Sequence, residues 1–301
     1  MKKQIVFFLT ILLSCFCSTA MAQTTTHHHK HAKHHIKPKK HVPKHVKTSH
    51  DPDVGYADIV IEAKTGRILH STNPDQLRHP ASLTKMMTLY MTFQALQTGK
   101  LTLNDKVPIS ANAAKQQPSK LGLRPGQEIR VEDAIMGLTV ESANDIAVAM
   151  AEKLGGTESH FAELMTQQAH ALGMMQTHFD NPSGLPDAGQ LTTARDIAIL
   201  AQKLIYHFPQ YYHFFSFGSF TYNNITYHNH NHLMSHYPGM DGIKTGFIDV
   251  SGYNLAASAV RDNTRLIGVM FGGHTYEARD KQMAVLLDQG FSQEKALRRL
   301  E

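Results

Sequence analysis

The sequence predicts an α+β fold in which one antiparallel sheet is built from both ends of the chain, flanked by helices, with an inserted helical subdomain. Two observations support this fold class. Short segments typical of strands occur within residues 57–71 and again within residues 217–271, whereas the region between them has the periodicity of helices. This order favours a sheet to which both chain ends contribute, with a cleft where the sheet meets the helical region.

The first predicted strands form a hairpin, in which residues 57–63 and 67–71 are joined by a Lys-Thr-Gly turn. The next element is a helix over about residues 82–97. Its side chains are apolar on nearly all sides, which is typical of a helix at the centre of a domain.

The remaining elements follow in chain order. Apolar periodicity and capping residues predict helices at residues 131–138, 143–153, 159–171 and 192–206. Strands are predicted at residues 217–222, 243–248, 252–260 and 265–271, and a last helix at about residues 276–289.

The first 22 residues are typical of a secretory signal peptide. Lys2 and Lys3 precede an apolar run at residues 5–13, and residues 20–22 (Ala-Met-Ala) form a small-x-small cleavage site. The apolar run is too short to cross a membrane, so we expect no transmembrane anchor. A lipoprotein leader, with Cys15 as the lipidated residue, is the less favoured alternative.

Both cysteines, Cys15 and Cys17, lie inside this leader. The mature chain therefore offers neither a disulfide nor a cysteine nucleophile. Export without disulfides favours the bacterial periplasm or cell envelope.

Residues 23–52 are predicted to be a disordered tail, because residues 24–50 hold nine His and seven Lys and little apolar content. The tail is either a solvated spacer or a segment that contacts anionic wall polymer or membrane, and metal scavenging by its histidines is a further alternative. It also explains the net charge of +5, since residues 51–301 hold 21 basic against 25 acidic groups. A nucleic-acid-binding protein carries its positive charge on the fold, so that class is disfavoured.

A candidate active site begins at Ser82 and Lys85, in the first turn of the central helix. Residues three apart share a helix face, so the hydroxyl and the amine are neighbours. Burial lowers the pKa of a lysine, and a helix N-terminus favours negative charge. The pair therefore predicts a serine nucleophile with a lysine base.

Two further motifs follow in an order that supports this prediction. Ser142 and Asn144 form an S-x-N motif before a helix, and Lys244-Thr245-Gly246 lies on a predicted strand. Ser142 and Lys244 are suited to relaying a proton to a leaving nitrogen, and Asn144 to binding a substrate amide. Lys244 and Thr245 suit a substrate carboxylate.

Backbone groups complete the predicted site. Gly246 lets a substrate lie close along the strand edge. The N–H groups of Ser82 and Phe247 are the expected oxyanion hole.

The sequence also contains a second copy of two motifs, at residues 64–66 (Lys-Thr-Gly) and 71–73 (Ser-Thr-Asn). Both precede Ser82, out of order, and we interpret them as turn residues. One of these three-residue motifs alone is thus weak support for the predicted active site, whereas all three motifs in this order are a specific signal for it.

With these motifs, the chain resembles the low-molecular-mass penicillin-binding proteins that are D-alanyl-D-alanine carboxypeptidases, over roughly residues 56–291. Further matching segments are Leu121–Gly126, Asn181–Leu185, Thr193–Asp196, Asp241–Ile243 and Gly252–Leu255. The resemblance implies a β-lactamase-like transpeptidase fold that acts without metal or cofactor on peptidoglycan stem peptides and is acylated by β-lactams. It also implies that Ser82 is the nucleophile and Lys85 the base.

On this basis we predict four regions: a signal peptide at residues 1–22, the tail at 23–52, a catalytic domain at 53–292 and a C-terminal tail at 293–301. Many relatives continue into a β-rich domain and a membrane-anchoring helix, whereas this sequence stops at Glu301. A second departure is His230, in a segment where some relatives have an arginine. The imidazole would assist a substrate carboxylate only when protonated, which affects the expected pH dependence.

Several alternatives stay open at this stage. The clustered His228, His230, His232 and His236 would share one face of a strand, so a metal site is an alternative to solvated or satisfied histidines, which we favour. A β-lactamase would use the same motifs, but a class A Glu-x-x-x-Asn segment is absent between residues 144 and 244. Two further alternatives are an endopeptidase of the same fold that cuts crosslinks and a non-catalytic wall-binding protein.

Overall fold

The structure, a computed structural model, describes residues 55–299. The predicted signal peptide at residues 1–22 and the tail at residues 23–52 lie outside the described residues. Both therefore stay predictions, as does the division of the chain into regions.

The strands of this part of the chain are, in order, β1 Ala57–Glu62, β2 Ile68–Thr72, β3 Lys106–Pro108, β4 Glu128–Arg130, β5 Ser219–Tyr222, β6 Ile225–His228, β7 Met240–Ile248, β8 Gly252–Arg261 and β9 Thr264–Gly273. The helices are α1 Lys85–Gln97, α2 Ala111–Ala114, α3 Val131–Met136, α4 Asn144–Gly155, α5 Glu158–Ala171, α6 Ala194–His207, α7 Pro209–Tyr212, α8 Leu233–His236 and α9 Tyr276–Leu297.

The main sheet is antiparallel, with five strands in the order β2-β1-β9-β8-β7. The prediction that both chain ends build one sheet is confirmed. Two small hairpins pair β3 with β4 and β5 with β6. Strand β7 is at the edge of the main sheet, so one of its sides is open to the neighbouring helical region.

Helices cover both faces of the main sheet. Ile59 and Ile61 belong to the larger core, together with residues of α1 and α6. Val60 belongs to a second core, formed with Met283 and Leu287 of α9. Successive side chains of a strand point to opposite faces, which explains why every residue of β1 is buried.

Helix α1 lies at the centre of the larger core, as predicted, and ten of its thirteen residues are buried. The predicted start at Ser82 was wrong by one turn. Residues Ala81–Thr84 form a 3-10 turn, and α-helical bonding begins at Lys85. In 3-10 geometry, side chains three residues apart are aligned, so the tighter turn brings Ser82 and Lys85 together.

Two other predictions were incomplete. Strand β6 was missed because Asn223 and Asn224, with φ angles of 48° and 64°, make a two-residue hairpin turn. Helix α9 continues to Leu297, although the sequence predicts an end near residue 289 and a tail from residue 293. The carboxylate of Glu294 lies 2.7 Å from Arg67, next to β2, and this ion pair holds the last turns of the helix on the sheet.

Within residues 55–299, no helix has both the length and the apolar character needed to cross a membrane.

Candidate active site

Ser82 and Lys85 lie side by side at the start of α1. The Nζ atom of Lys85 is 3.0 Å from the Oγ atom of Ser82. Lys85 is completely buried, although it carries an amine. The structure thus places the predicted nucleophile and base within hydrogen-bonding distance.

The surroundings of Lys85 decide the direction of its lone pair. Nζ donates to the side-chain oxygen of Asn144 at 2.7 Å and to the carbonyl oxygen of Ser183 at 2.5 Å. A neutral amine has two N–H groups, and both are occupied by these acceptors. The remaining tetrahedral direction, which holds the lone pair, is the one occupied by the hydroxyl of Ser82.

The electrostatics favour this neutral form. Burial lowers the pKa of Lys85 well below its ordinary value, and the positive charge of Lys244 lowers it further. The carboxylate of Asp145 acts in the opposite direction. Lys85 is therefore suited to accept a proton from Ser82.

The S-x-N motif follows a sharp turn. Residues Gly137–Glu141 form a π-helical turn, and Ser142 then adopts a left-handed conformation with φ of 65°. This conformation is unfavourable for a residue other than glycine and is often found at functional sites. The Oγ atom of Ser142 is buried and has no hydrogen-bond partner within residues 55–299. It faces the cleft, where a substrate group can satisfy it.

Asn144 has a role that the sequence did not indicate. Its side-chain oxygen accepts from Lys85, and its Nδ2 donates to the carbonyl of Gln117 at 2.9 Å. The amide therefore orients the base, besides lining the cleft where we predicted contact with a substrate amide.

Lys244, Thr245 and Gly246 lie on β7, at the open edge of the sheet. Lys244 is 2% exposed and donates to the carbonyl of Thr245. Burial and the neighbouring charge of Arg279 lower the pKa of Lys244 to about 7, while Glu141 opposes this shift. The ammonium is thus easily deprotonated near neutral pH.

Gly246 is required for packing rather than only for substrate access. A Cβ atom at this position would lie 3.0 Å from the carbonyl oxygen of Pro80 and 3.1 Å from the nitrogen of Ser82. Strand β7 therefore lies directly against the Ser82 turn. The close approach brings the backbone of Ser82 next to the strand that carries Phe247, which is the arrangement an oxyanion hole needs.

A cleft of about 540 Å³ joins these elements. Its lining includes the predicted residues Ser82, Ser142, Asn144, Thr245, Gly246 and Phe247. Lys85 and Lys244 lie behind this surface, buried against it. The structure thus brings together all of the residues that the sequence predicts for the site.

Arg279 is the residue that sequence reasoning missed. It lies on α9, lines the cleft and is 3% exposed. Its guanidinium donates to the carbonyl of His230 and pairs with Asp280. No motif indicates this arginine, because a helix more than thirty residues after Lys244 brings it to the site. Arg279 and Lys244 thus bring two cations to this end of the cleft, and Asp280 pairs with the first.

Three polar side chains outside the motifs hold the backbone segments around the site. The first is Asn181, whose side-chain oxygen accepts from the backbone nitrogens of Ser183 and Gly184 at 3.2 and 2.8 Å. This turn presents the carbonyl of Ser183 to Lys85. Gly184 has a φ of 88°, and a Cβ atom there would lie 1.8 Å from the carbonyl oxygen of Ala81.

The second and third anchors are Asn254 and Asp145. Asn254, on β8, donates to the carbonyl of His79 at 3.3 Å and accepts from the nitrogen of Gly272. Asp145 accepts from the nitrogens of Leu121 and Gly122 at 3.1 and 2.9 Å, which fixes the loop beside Asn144. Asn181 and Asn254 lie in segments that matched relatives but had no predicted role, and Asp145 directly follows the S-x-N motif.

The motif at residues 64–66 lies in the turn between β1 and β2, as interpreted, whereas Ser71 and Thr72 of the second motif belong to β2 and only Asn73 lies outside the strand. Thr65 donates through its backbone and side chain to Glu62 within the β1–β2 turn. Asn73 has a φ of 50° and donates to the carbonyl of Tyr56.

The histidine cluster does not have the geometry that its spacing predicts. Strand β6 ends at His228, and the chain then turns into the short helix α8, so the four histidines do not share one strand face. His230 lines the cleft, where desolvation and the nearby charge of Lys244 lower its pKa to about 4. It retains solvent contact, and it is neutral at physiological pH, so Arg279 is the better placed cation.

Comparisons with known proteins agree with this geometry. Residues 45–275 match the family described as D-alanyl-D-alanine carboxypeptidase, peptidase S11. The chain is 39% identical to the D-alanyl-D-alanine carboxypeptidase DacA of Escherichia coli, over 77% of this chain and 60% of that protein. It is 37% identical to DacF of Bacillus subtilis, over 78% and 61%. The chain thus spans about 60% of the length of these curated relatives.

Solved structures show the same similarity. Penicillin binding protein 5 from Haemophilus influenzae is 38% identical, with a TM-score of 0.76 over 78% of this chain and 70% of that one. Two more distant matches bear on the alternatives. Penicillin-Binding Protein D2 from Listeria monocytogenes, in a cefotaxime-bound form, is 29% identical with a TM-score of 0.72, over 79% and 97%. A D-alanyl-D-alanine endopeptidase of Pseudomonas aeruginosa is 27% identical over 77% and 76%.

The close contact at Gly184 gives a test of how the site is held. Gly184→Ala should displace the Ser183 carbonyl and disturb Lys85, so Ser82 should react much more slowly with a penicillin. The free energy of unfolding should also fall by clearly more than the ~1–3 kcal/mol expected from positive φ alone. The matched control is Gly99→Ala, which has a φ of 72° but no atom within 4 Å of the added Cβ. Equal unfolding free energies and equal acylation rates for the two variants would contradict this account.

Proposed function

Because the chain belongs to the D-alanyl-D-alanine carboxypeptidase family of serine peptidases, we propose that it removes the terminal D-alanine from peptidoglycan stem pentapeptides through an acyl-enzyme. The observation that carries the proposal is the buried amine of Lys85, 3.0 Å from the hydroxyl of Ser82 at the floor of an open cleft.

Acylation follows from this geometry. Ser82 Oγ attacks the carbonyl carbon of the penultimate D-alanine while Lys85 accepts the hydroxyl proton. The carbonyl oxygen becomes negative and is stabilised by the N–H groups of Ser82 and Phe247. When the amide C–N bond breaks, the proton held by Lys85 is relayed through Ser142 to the leaving nitrogen, so Lys85 is neutral again and D-alanine departs.

Deacylation uses the same groups, with water in place of Ser82 as the nucleophile. Water attacks the ester carbonyl and gives a proton to the neutral amine of Lys85. The Ser82–acyl bond breaks, and Ser82 Oγ takes this proton from Lys85. The shortened peptide leaves with a new carboxylate, and the enzyme returns to its starting state.

The cationic end of the cleft selects the substrate. We propose that Lys244, Thr245 and Arg279 bind the free carboxylate of the terminal D-alanine, one residue beyond the scissile bond; Thr245 and Arg279 line the cleft and Lys244 is buried beside it. An endopeptidase substrate can also present a carboxylate at the D-centre of its crosslink. The identity to carboxypeptidases of 36–39%, against 27% for the endopeptidase, favours exo cleavage.

We propose β-lactams as covalent inhibitors of this site, as the cefotaxime-bound relative suggests. We also propose that the chain is exported to the bacterial envelope and that its His/Lys-rich tail contacts anionic wall polymer or membrane.

Deletion of residues 24–50 should then weaken binding to isolated wall material but leave turnover of a soluble peptide unchanged. Unchanged binding to wall material would contradict the role of the tail.

The first test of the proposed function is acylation by a penicillin, followed by intact-protein mass. The wild-type protein should form a persistent adduct on Ser82, and Ser82→Ala and Lys85→Ala should each abolish it. The double variant should lose little more than either single one, because the two residues act as a unit. Rapid turnover of the penicillin would indicate a β-lactamase, and absence of any adduct would indicate a non-catalytic protein.

A second test uses the pH dependence of acylation. The rate should rise with pH as Lys85 loses its proton and fall above about pH 7 as Lys244 loses the charge that binds the carboxylate. Lys244→Arg keeps its charge at all these pH values, so its decline should move to higher pH. The exposed Lys100→Arg is the control and should leave the profile unchanged. An identical alkaline decline in Lys244→Arg would remove Lys244 from this role.

A third test separates exo from endo cleavage by product analysis on a stem pentapeptide and a crosslinked dimer. The pentapeptide should be the better substrate, and its C-terminal amide should be cleaved poorly. Lys244→Ala should reduce pentapeptide cleavage by about ten- to hundredfold, the loss expected when one charge-assisted contact is removed. Ready opening of dimers with intact pentapeptide would make the enzyme an endopeptidase.

A further inference from the structure

A second cavity, of about 440 Å³, lies between the last turns of α9 and the turn that joins β8 to β9. Arg279 is in the first turn of the same helix, and Arg298 caps its other end. The nineteen residues from one to the other correspond to about 28 Å of helix. The cavity is therefore separate from the catalytic cleft.

Exposed basic side chains line this cavity. Lys295 and the two residues at the end of the helix, Arg298 and Arg299, are exposed, and none of the three is in an ion pair within residues 55–299. The carboxylate of Glu294 also lines the cavity, but it pairs with Arg67. Residues 51–301 hold 21 basic against 25 acidic groups, so these cations are a local concentration on an acidic fold.

A fourth cation, Arg261, is fixed in the wall of the cavity. Its guanidinium lies 4.2 Å from the ring of Tyr237 and 4.8 Å from that of Phe291. Its Nε donates to the carbonyl of Pro238 at 3.1 Å, and its Nη1 donates to Asp288 at 2.8 Å. Within residues 55–299, its Nη2 has no acceptor. Because the two rings and the two hydrogen bonds hold the guanidinium, it is preorganised for a ligand.

The number of cations indicates the kind of anion that the cavity suits. A carboxylate has one charge and two oxygens, and a single arginine satisfies it. A phosphate ester carries up to two charges and three acceptor oxygens, so it can use several cations at once. Guanidinium groups also match the geometry of phosphate oxygens. A cavity of this volume is within the usual range for small ligands, so it can hold the alcohol part of an ester beside the phosphate.

We propose that this cavity binds the phosphate group of a phosphate ester. We call its four cations the basic pocket, which consists of Arg261, Lys295, Arg298 and Arg299. The three exposed cations contact the phosphate oxygens, and Arg261 holds the phosphate against the wall. Asp262, exposed in the β8–β9 turn, also lines the cavity and opposes this binding by like charge. The basic pocket is independent of the catalytic cleft and of its proposed reaction.

The test is a titration of the full chain with glycerol phosphate, followed by NMR of the arginine Nε–H groups. The signal of Arg261, assigned by its loss in Arg261→Lys, should shift and saturate in the wild-type protein. Replacing the three exposed cations together, by Lys295→Gln, Arg298→Gln and Arg299→Gln, should raise the Kd by about tenfold. This factor is expected for the loss of three exposed charge contacts.

The matched control removes three exposed lysines elsewhere, by Lys64→Gln, Lys106→Gln and Lys115→Gln. It changes the net charge by the same amount and should keep the wild-type Kd. The His/Lys-rich tail is present in every variant, so its own attraction for anions cancels. An equal increase of Kd in the two triple variants, or a wild-type signal that does not saturate, would overturn the basic pocket.

A substitution of opposite sign makes the test stricter. Asp262→Asn removes the opposing carboxylate and should lower the Kd by about two- to threefold. Asparagine accepts the φ of 46° at this position, so the turn is kept. A merely structural role of the turn predicts no gain in affinity. Glu128→Gln, which removes an exposed carboxylate on β4, is the control and should leave the Kd unchanged. Unchanged or weaker binding by Asp262→Asn would contradict the proposal.

Sedimentation with vesicles distinguishes the two sources of such a phosphate. Phosphatidylglycerol vesicles are the probe, and phosphatidylcholine vesicles, without net charge, are the reference. Weaker sedimentation of the pocket triple variant than of the control triple variant would support a lipid headgroup as the ligand. Equal sedimentation of the two, with their Kd values for glycerol phosphate still different, would support a soluble phosphate ester.

Acylation by a penicillin keeps this proposal distinct from the proposed function. All of these variants should be acylated at the wild-type rate, because none of the substituted residues lines the cleft. This result also shows that the variants are folded. Phosphate binding by a wild-type protein that is not acylated would overturn the proposed reaction while the basic pocket stands.

Discussion

The site depends on one buried amine. Burial lowers the pKa of Lys85 and so favours the neutral amine, whose two N–H groups donate to the side-chain carbonyl of Asn144 and the backbone carbonyl of Ser183. Only the lone pair remains, and it faces Ser82. The two acceptors are 59 and 98 residues away in sequence. The central helix, the S-x-N turn and the Ser183 loop must therefore all be in place before the serine can be activated.

The rest of the structure keeps those acceptors from moving. Asn181, Asn254 and Asp145 each use a side chain to hold backbone atoms of a neighbouring loop, and the Cα atoms of Gly184 and Gly246 lie against the Ser82 turn. Such contacts leave little freedom for the reacting groups. Proton transfer over 3.0 Å needs this rigidity, because a shift of about 1 Å in a positioning group reduces the rate strongly.

The positive charge of Lys244 affects both the proton affinity of the base and the binding of a substrate carboxylate. Lys244 lowers the pKa of Lys85, and Arg279 in turn lowers that of Lys244. Burial is the largest cause of both pKa shifts, and Lys244, for which we propose a contact with the substrate carboxylate, adds to the shift that favours the neutral base.

The sequence by itself determined the fold class, the central helix and the residues of the three motifs, because strand alternation, helix periodicity and motif order are local properties of the chain. It did not reveal Arg279, the role of Asn144 as a support for Lys85, or the continuation of α9 to Leu297. Each of these depends on a contact between residues far apart in the chain, such as that between Glu294 and Arg67. The histidine cluster shows the same limit, since a turn after His228 cancels the alternation that its spacing predicts. Only the tertiary structure decided these features, because burial and pairing arise when separate segments meet.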